Sequence, residues 1–368
     1  MPDITMDARI RGAVIDAHLK EVVAPIFTRN PIVAMVKDRG RLAFKKDLKR
    51  LGLTWKWRVR YKRRTMRSGD ATAPTYRFIK VNTKRWASLG WRHCWITEAT
   101  TRLEELISQN PVTAVGDLLQ EAIDEAGEDF LEQFPNTFWN DGGAAGNTEP
   151  HGIESFMNAT AALSNGFVAS PDDYYANLYT NLAYYGGAWS APSGEAWPIC
   201  DDVDSCSPTY HFWSPLILDV TNTKWNNDTK TWAANWQEQL MTAQDYMGNV
   251  QNEDIDLFLI HSQMMTAAKL AVQGLQTFEV TQNSPLTKLG HRTLNYNGTE
   301  LMTGHGVPAG CGYGLTWDNI KLLSIQDQLL AQDKDLDIET TTRRHLFTFY
   351  GNWEFKSPAK FVKFAQVT

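Results

Sequence analysis

The chain has no apolar run approaching the ~20 residues that a helix needs to cross a bilayer, so no membrane partner is expected. Its opening, Met1-Pro2-Asp3-Ile4-Thr5-Met6-Asp7, lacks the basic-then-apolar pattern of a secretory signal, which points to a cytoplasmic origin. Cysteine is scarce. Cys94, Cys200, Cys206 and Cys311 form no C-x-x-C pair, and free thiols are the default in a cytoplasm, with a Cys200–Cys206 bridge left open. His93-Cys94, and Cys206 with His211, lack the paired spacing of a zinc site. Asp201-Asp202-x-Asp204-Ser205 lacks the glycine and terminal glutamate of a calcium loop and reads as a solvated turn. No G-x-S-x-G elbow occurs anywhere. Gly310-x-Gly312-x-Gly314 is not followed directly by a helix that could cradle a phosphate, and a turn is expected there. Neither an internal repeat nor a low-complexity tract is present, and no metal or cofactor is expected.

What is present is an ordinary globular composition, 43% hydrophobic and 21% charged, over 368 residues, enough for two packed subregions. The formal net charge of −6 conceals a strong asymmetry. Residues 37–92 carry 19 Lys or Arg against three acids, a net of +16, which leaves −22 for the rest of the chain. Such a split suits attraction between copies of the chain, and it also suits contact with nucleic acid. The 14 Trp residues raise a third possibility, a carbohydrate-active enzyme. That chemistry needs two carboxylates across a cleft. No pair stands out, so packing of cores and interfaces is the favoured use of the tryptophans.

Along the chain, residues 1–36 read as an amino-terminal arm, with weak helical spacing over Ala8–Val23 and a turn at Asn30-Pro31. No separate domain fits before it, so no large amino-terminal propeptide is expected. Trp55, Trp57, Val59 and Tyr61 alternate with Lys56, Arg58, Arg60 and Lys62, and this period of two predicts a strand with an aromatic and a cationic face. A second β-rich run at Tyr76–Val81, with Arg63, Arg64 and Ser68-Gly69-Asp70 between, predicts a long basic β-hairpin within residues 37–92. A two-stranded hairpin is marginal alone and needs a surface to lie against. A short helix is expected at Thr97–Ser108. A longer one follows from Asn110-Pro111 to Pro135, oily along Val115, Leu118, Leu119, Ala122, Ile123, Ala126, Phe130 and Phe134. Its other face is acidic, with Asp117, Glu121, Asp124, Glu125, Glu128, Asp129 and Glu132. Trp232, Trp236, Leu240, Ala243 and Met247 share one helical face. Asp256–Ile260 reads as a buried strand, His261–Val272 as the helix after it, and 335–364 as strand-rich.

The order of these pieces resembles the major capsid proteins of tailed double-stranded DNA phages, the HK-ninety-seven-type fold. Several short stretches carry the likeness: Phe138-Trp139-Asn140-Asp141-Gly142, then His151-Gly152-Ile153-Glu154-Ser155-Phe156, Ile255–Ile260 leading into His261-Ser262-Gln263, Leu289–Leu301, Val307-Pro308 with Tyr313-Gly314-Leu315, and Tyr350–Pro358. Related sequences often place Asp shortly before the Val-Pro, where this chain has Thr303-Gly304-His305-Gly306.

The resemblance implies an α+β fold. It comprises an arm (1–36), a hairpin extension loop (37–92), a peripheral domain with a spine helix (93–164 and 336–368) and an axial domain (165–335). It further implies a structural role and no enzymatic one: hexamers and pentamers closing an icosahedral head around packaged double-stranded DNA in a virion assembled in the host cytoplasm, with scaffolding, portal and decoration proteins as partners. The expected inter-subunit interface joins a basic set, Trp55, Lys56, Trp57, Arg58, Arg60, Tyr61, Lys62, Arg63 and Arg64, to an acidic one, Asp117, Glu121, Asp124, Glu125 and Glu128. The hairpin's aromatic face is expected to pack on a neighbouring subunit, and a nucleic-acid platform is the alternative use of the same residues.

Overall fold

A computed structural model describes residues 31–48, 52–60, 80, 83–101, 125–126, 128–130, 132–143, 147–157, 174–179, 213, 215–220, 222–223, 228–229, 231–272, 294–327, 331–337 and 342–365. The expected helix at 8–23, the hairpin tip, most of the spine helix and the Cys200–Cys206 pair lie outside them.

Helix α1 (Pro31–Asp38) opens on a proline, which fits a first helical turn, and buries Ile32 through Val36. The stretch expected to close an arm at residue 36 is therefore a core helix. Strands β1 (Leu42–Ala43), β2 (Thr54–Arg60), β3 (Lys84–Gly90) and β4 (Arg92–Thr101) follow. The middle of the chain supplies β5 (Tyr174–Tyr175), β6 (Leu178–Tyr179), β7 (Leu216–Asp219), β8 (Asn222–Thr223), β9 (Asp228–Thr229), α2 (Trp232–Tyr246), β10 (Leu257–Ile260) and α3 (Ser262–Val272). The remainder supplies β11 (Leu294–Tyr296), β12 (Thr299–Thr303), β13 (Cys311–Leu315), β14 (Ile320–Ser324), β15 (Ala331–Asp337), β16 (Thr342–Phe355) and β17 (Val362–Ala365).

Two large sheets take up eleven of these strands, and β2-β3, β5-β6 and β8-β9 form separate two-stranded ribbons. In the five-stranded one, β16 pairs with β14 and β15 along one edge and with β4 along the other, and β1 adds to β14. The six-stranded one runs β11-β12-β10-β13-β17-β7. This division crosses the expected domain boundaries. β14 and the first five residues of β15, expected in the axial domain, sit in the first sheet, whereas β17, expected in the peripheral domain, sits in the second between β13 and β7. The helix expected at 97–108 is corrected over 97–101, which continue β4, and its remainder lies outside the described residues. Helical spacing there competes with Ile96, Thr97, Thr100 and Thr101, β-branched residues that favour a strand once β16 is available to pair.

Strand β10 shows how the cores are arranged. Leu257 and Leu259 face one hydrophobic cluster, with Tyr313, Leu315, Phe138, Trp353 and Phe355. Phe258 and Ile260 face the other, under α2 and α3, with Trp236, Leu240, Val362 and Phe364. Both faces are covered, so the strand is uniformly apolar rather than alternating. The expected turn over Gly310–Gly314 is confined to Gly310, at φ +73°, and 311–315 form β13. A Cβ at Gly312 would lie 3.3 Å from the Ile260 side chain and one at Gly314 3.2 Å from Phe258, so these glycines make room for the β10 side chains opposite them.

Candidate assembly surface

The hairpin root is β2 against β3, antiparallel, with Arg60 opposite Lys84, Arg58 opposite Trp86 and Trp57 opposite Ala87. The return strand that pairs at the root is Lys84–Gly90, and of the expected run Tyr76–Val81, residues 76–79 and 81 lie outside the described set. The predicted alternation holds over 54–60: Lys56, Arg58 and Arg60 are exposed, Trp57 and Val59 buried, and Trp55 half-buried. The surface that covers the apolar face differs from expectation, because at the root this chain supplies it. Trp57 Nε1 donates to the Lys356 carbonyl at 3.1 Å, and its ring lies 6.5 Å from that of Tyr175. Ser88 N–H donates to the Ala176 carbonyl at 2.8 Å. The turn between β5 and β6 and the end of β16 thus seat the tryptophan without a neighbour. Tyr61, Lys62, Arg63 and Arg64 lie outside the described residues.

Outward, the ribbon presents Lys56, Arg58, Arg60 and Lys84, with the Arg58 guanidinium 4.7 Å from the ring centroid of an exposed Trp86. Cations directly across a ribbon repel unless counter-charge is near. At the end of the spine helix, Ala126, Phe130 and Phe134 are buried, while Glu125, Glu128, Asp129 and Glu132 are exposed. The Phe130 and Phe134 rings stack at 4.9 Å, and Phe134 meets Phe349 edge-on at 5.1 Å. Asp117, Glu121 and Asp124 lie outside the described residues. Among the described residues, no ion pair joins Lys56 or Arg58 to the helix acids within the chain.

Two buried polar junctions were not read from the sequence. In the first, Asn352 of β16 accepts from His151 N–H at 2.8 Å and donates to the Gly90 carbonyl at 2.9 Å, which ties the hairpin root, the 151 loop and the sheet together. Gly142 N–H donates to Ser155 Oγ at 3.0 Å, and His151 Nδ1 lies 3.3 Å from the same oxygen. The two loops press so closely that a Cβ at Gly152 would come within 2.5 Å of the Phe138 carbonyl. Burial, with the Arg92 guanidinium adding to it, lowers the His151 pKa to about 4. In the second junction, the Lys363 ammonium on β17 reaches both Glu154 carboxylate oxygens, at 2.8 and 2.6 Å, and the Met157 carbonyl at 2.9 Å. Tyr313 OH donates to the same carboxylate. A signal was available for Lys363, the one polar residue of an otherwise apolar strand, which needs a buried partner, whereas Asn352 shares β16 with several other polar residues and did not stand out.

No protein-family model and no curated protein matches the sequence. Solved structures do match. The capsid asymmetric unit of cyanophage A-1(L) is similar over 89% of this chain and 90% of that chain, at 14% identity and a TM-score of 0.55. The chain has a phage capsid fold. The α+β class and the HK-ninety-seven-type fold read from the sequence are borne out at that level. The native GTA particle capsid (TM-score 0.49, 9% identity, 89% of each chain) and the mature capsid of bacteriophage PhiM1 (0.48, 10%, 90% of this chain and 87% of that one) also match.

On this capsid fold, no group of three or more His, Cys, Asp or Glu among the described residues is placed to hold a metal ion. Cys94 and Cys311 are free thiols facing the first core, and burial raises both pKa values, that of Cys94 to about 11 with help from Glu149. Glu354, buried on β16 directly across from Lys321, also has a raised pKa, chiefly from burial. Among the described residues no helix is long and apolar enough to cross a membrane.

Proposed function

We propose that this chain is the major capsid protein of a tailed double-stranded DNA phage, a shell-building subunit whose function resides in its surfaces and not in catalysis. The observation that carries this reading is the capsid fold, matched over about nine-tenths of the chain. The charge layout supports it, with a cationic ribbon at Lys56, Arg58, Arg60 and Lys84 and exposed acids at Glu125, Glu128, Asp129 and Glu132. Copies associate as hexamers and pentamers in an icosahedral head around packaged DNA. Assembly takes place in the host cytoplasm with scaffolding, portal and decoration proteins. The hairpin beyond residue 60, with Tyr61, Lys62, Arg63 and Arg64, reaches an adjacent subunit, and its cationic side meets the acids of that subunit's spine helix, with Asp117, Glu121 and Asp124 continuing the set.

Exposed single pairs contribute only ~0.2–1 kcal/mol, so several must act per subunit, repeated over the shell. Their main effect is on register and on-rate. The test is overexpression, with the scaffold partner present, followed by gel filtration and negative-stain microscopy. Capsomers or shells are expected, and a stable monomer at high concentration refutes the reading. Arg58→Glu with Arg60→Glu blocks assembly at low salt while the monomer stays folded, and Glu125→Lys with Glu128→Lys in the same chain restores it in part. Normal assembly of the double Glu variant at low and moderate salt removes the electrostatic half of the proposal. The guanidinium stacked on Trp86 favours one second reading, contact with the packaged nucleic acid. Shells of the double Glu variant that form but hold no DNA establish that reading instead.

A further inference from the structure

Strand β4 closes one edge of the five-stranded sheet. It pairs with β16 from Arg92 to Thr101, and among the described residues nothing pairs with its other edge. The direction of its free groups follows from Tyr350. That residue's carbonyl accepts from Ile325 N–H at 3.0 Å, and its N–H donates to Gln326 Oε1 at 3.4 Å, so both point away from β4. His93, opposite Tyr350, is therefore in a non-hydrogen-bonded pair, the narrow kind in an antiparallel ladder. The two rings, stacked at 3.9 Å and parallel within 1°, agree with that spacing. Alternation then turns the N–H and C=O of His93, Trp95, Thr97, Ala99 and Thr101 outward. The edge carries no proline, and Trp95 beside it is 60% exposed. An unguarded edge of this length is a template for strand addition.

The sequence of the edge complements itself. Antiparallel pairing about a two-fold axis at Trp95 sets Trp95 against the partner's Trp95, His93 against the partner's Thr97, Cys94 against the partner's Ile96, and Arg92 against the partner's Glu98. Both ends then carry an opposite-charge pair and the centre an aromatic pair, arrangements that favour cross-strand association. Moving the axis to Thr97 sets Ile96 against the partner's Glu98, and moving it to His93 leaves only residues 92–94 overlapping.

We propose that β4 is a two-fold interface at which a second copy of this chain adds its own β4, joined by about six backbone hydrogen bonds centred on Trp95. The proposal rests on the shell reading only for the crowding that brings copies together. Directly opposite residues in a hydrogen-bonded pair lie ~5.5 Å apart at Cα, within the ~4.4–6.8 Å that a disulfide spans.

The experiment is oxidative cross-linking of assembled particles of Trp95→Cys, read on a non-reducing gel against the unmodified chain and Ala99→Cys. The neighbouring Cys94, its thiol held protonated by burial, is slow to compete. A covalent dimer at least tenfold above both controls is expected. It is abolished by adding Thr97→Pro, which removes an outward N–H and leaves the ladder to β16 intact. Particles without this dimer, or with a dimer unaffected by Thr97→Pro, overturn the proposal and leave the shell reading standing. If the unmodified chain forms no particles, the shell reading fails and the same cross-link in free solution decides the interface, its presence supporting the pairing and its absence overturning it. If Trp95→Cys alone fails to assemble, a His93→Cys, Thr97→Cys chain, whose cysteines face each other across the same axis, decides between these outcomes by the same dimer.

Discussion

Lowering the pH is the most direct probe of the junction that holds the hairpin root. His151 packs edge-on against Tyr175 with ring centroids 5.8 Å apart, its backbone N–H held by Asn352 and its Nδ1 near Ser155 Oγ. Burial and the adjacent Arg92 lower its pKa from 6.5 to about 4. The neutral ring is thus the native form, and the unfolded chain binds the proton more readily. Stability from this group is complete above about pH 6.5, falls by about 1.4 kcal/mol per pH unit below it, and is fully lost below about pH 4, a total of about 3 kcal/mol. That is a large share of the ~5–15 kcal/mol typical of a domain. Urea unfolding from pH 7.5 to 3.5 measures it, comparing the native chain with His151→Gln, which cannot take up the proton. The native chain should lose about 3 kcal/mol more than the variant across this window. Parallel curves between pH 6.5 and 4 refute the argument that burial and Arg92 keep the ring neutral.

Two further substitutions test the remaining polar contacts. Lys363→Met leaves the half-buried Glu154 carboxylate beside Tyr313 without its cation and should cost up to about 3–5 kcal/mol in chemical denaturation, whereas adding Glu154→Gln should recover more than half of that loss. Asn352→Leu leaves the His151 N–H and the Gly90 carbonyl without partners, at about 1–3 kcal/mol each, and should speed proteolysis at the hairpin root.

The layout was legible because it follows periodicity. The alternation from Trp55 to Val59 and the helical stripe Trp232-Trp236-Leu240-Ala243 report directly which side chains are buried. The run Leu257–Ile260 announced a strand covered on both faces. What failed had non-local causes. Residues 97–101 are extended because β16, some 240 residues away in sequence, offers a partner. The division of strands between the sheets depends on a chain that leaves one sheet and returns to the other. The cover for Trp57 comes from Tyr175 and the Lys356 carbonyl, which no local pattern connects to it. Of the expected interface residues, Lys56, Arg58, Arg60, Glu125 and Glu128 lie on exposed surfaces, Trp57 is committed to the chain's own core, and Trp55 is half-buried.

The position of β17 bears on when the molecule can form. It is an interior strand of the six-stranded sheet, flanked by β13 and β7, yet it spans residues 362–365. Until those residues have left the ribosome, β13 and β7 have no common neighbour, the Glu154 carboxylate has no ammonium, and the core under α2 and α3 lacks Val362 and Phe364. A nascent chain therefore holds these contacts open until β17 emerges, and pairing across such separations is intrinsically slow. β17 thus acts as the keystone of the sheet, and a chain made only as far as β16 cannot present the finished outer surfaces to its neighbours.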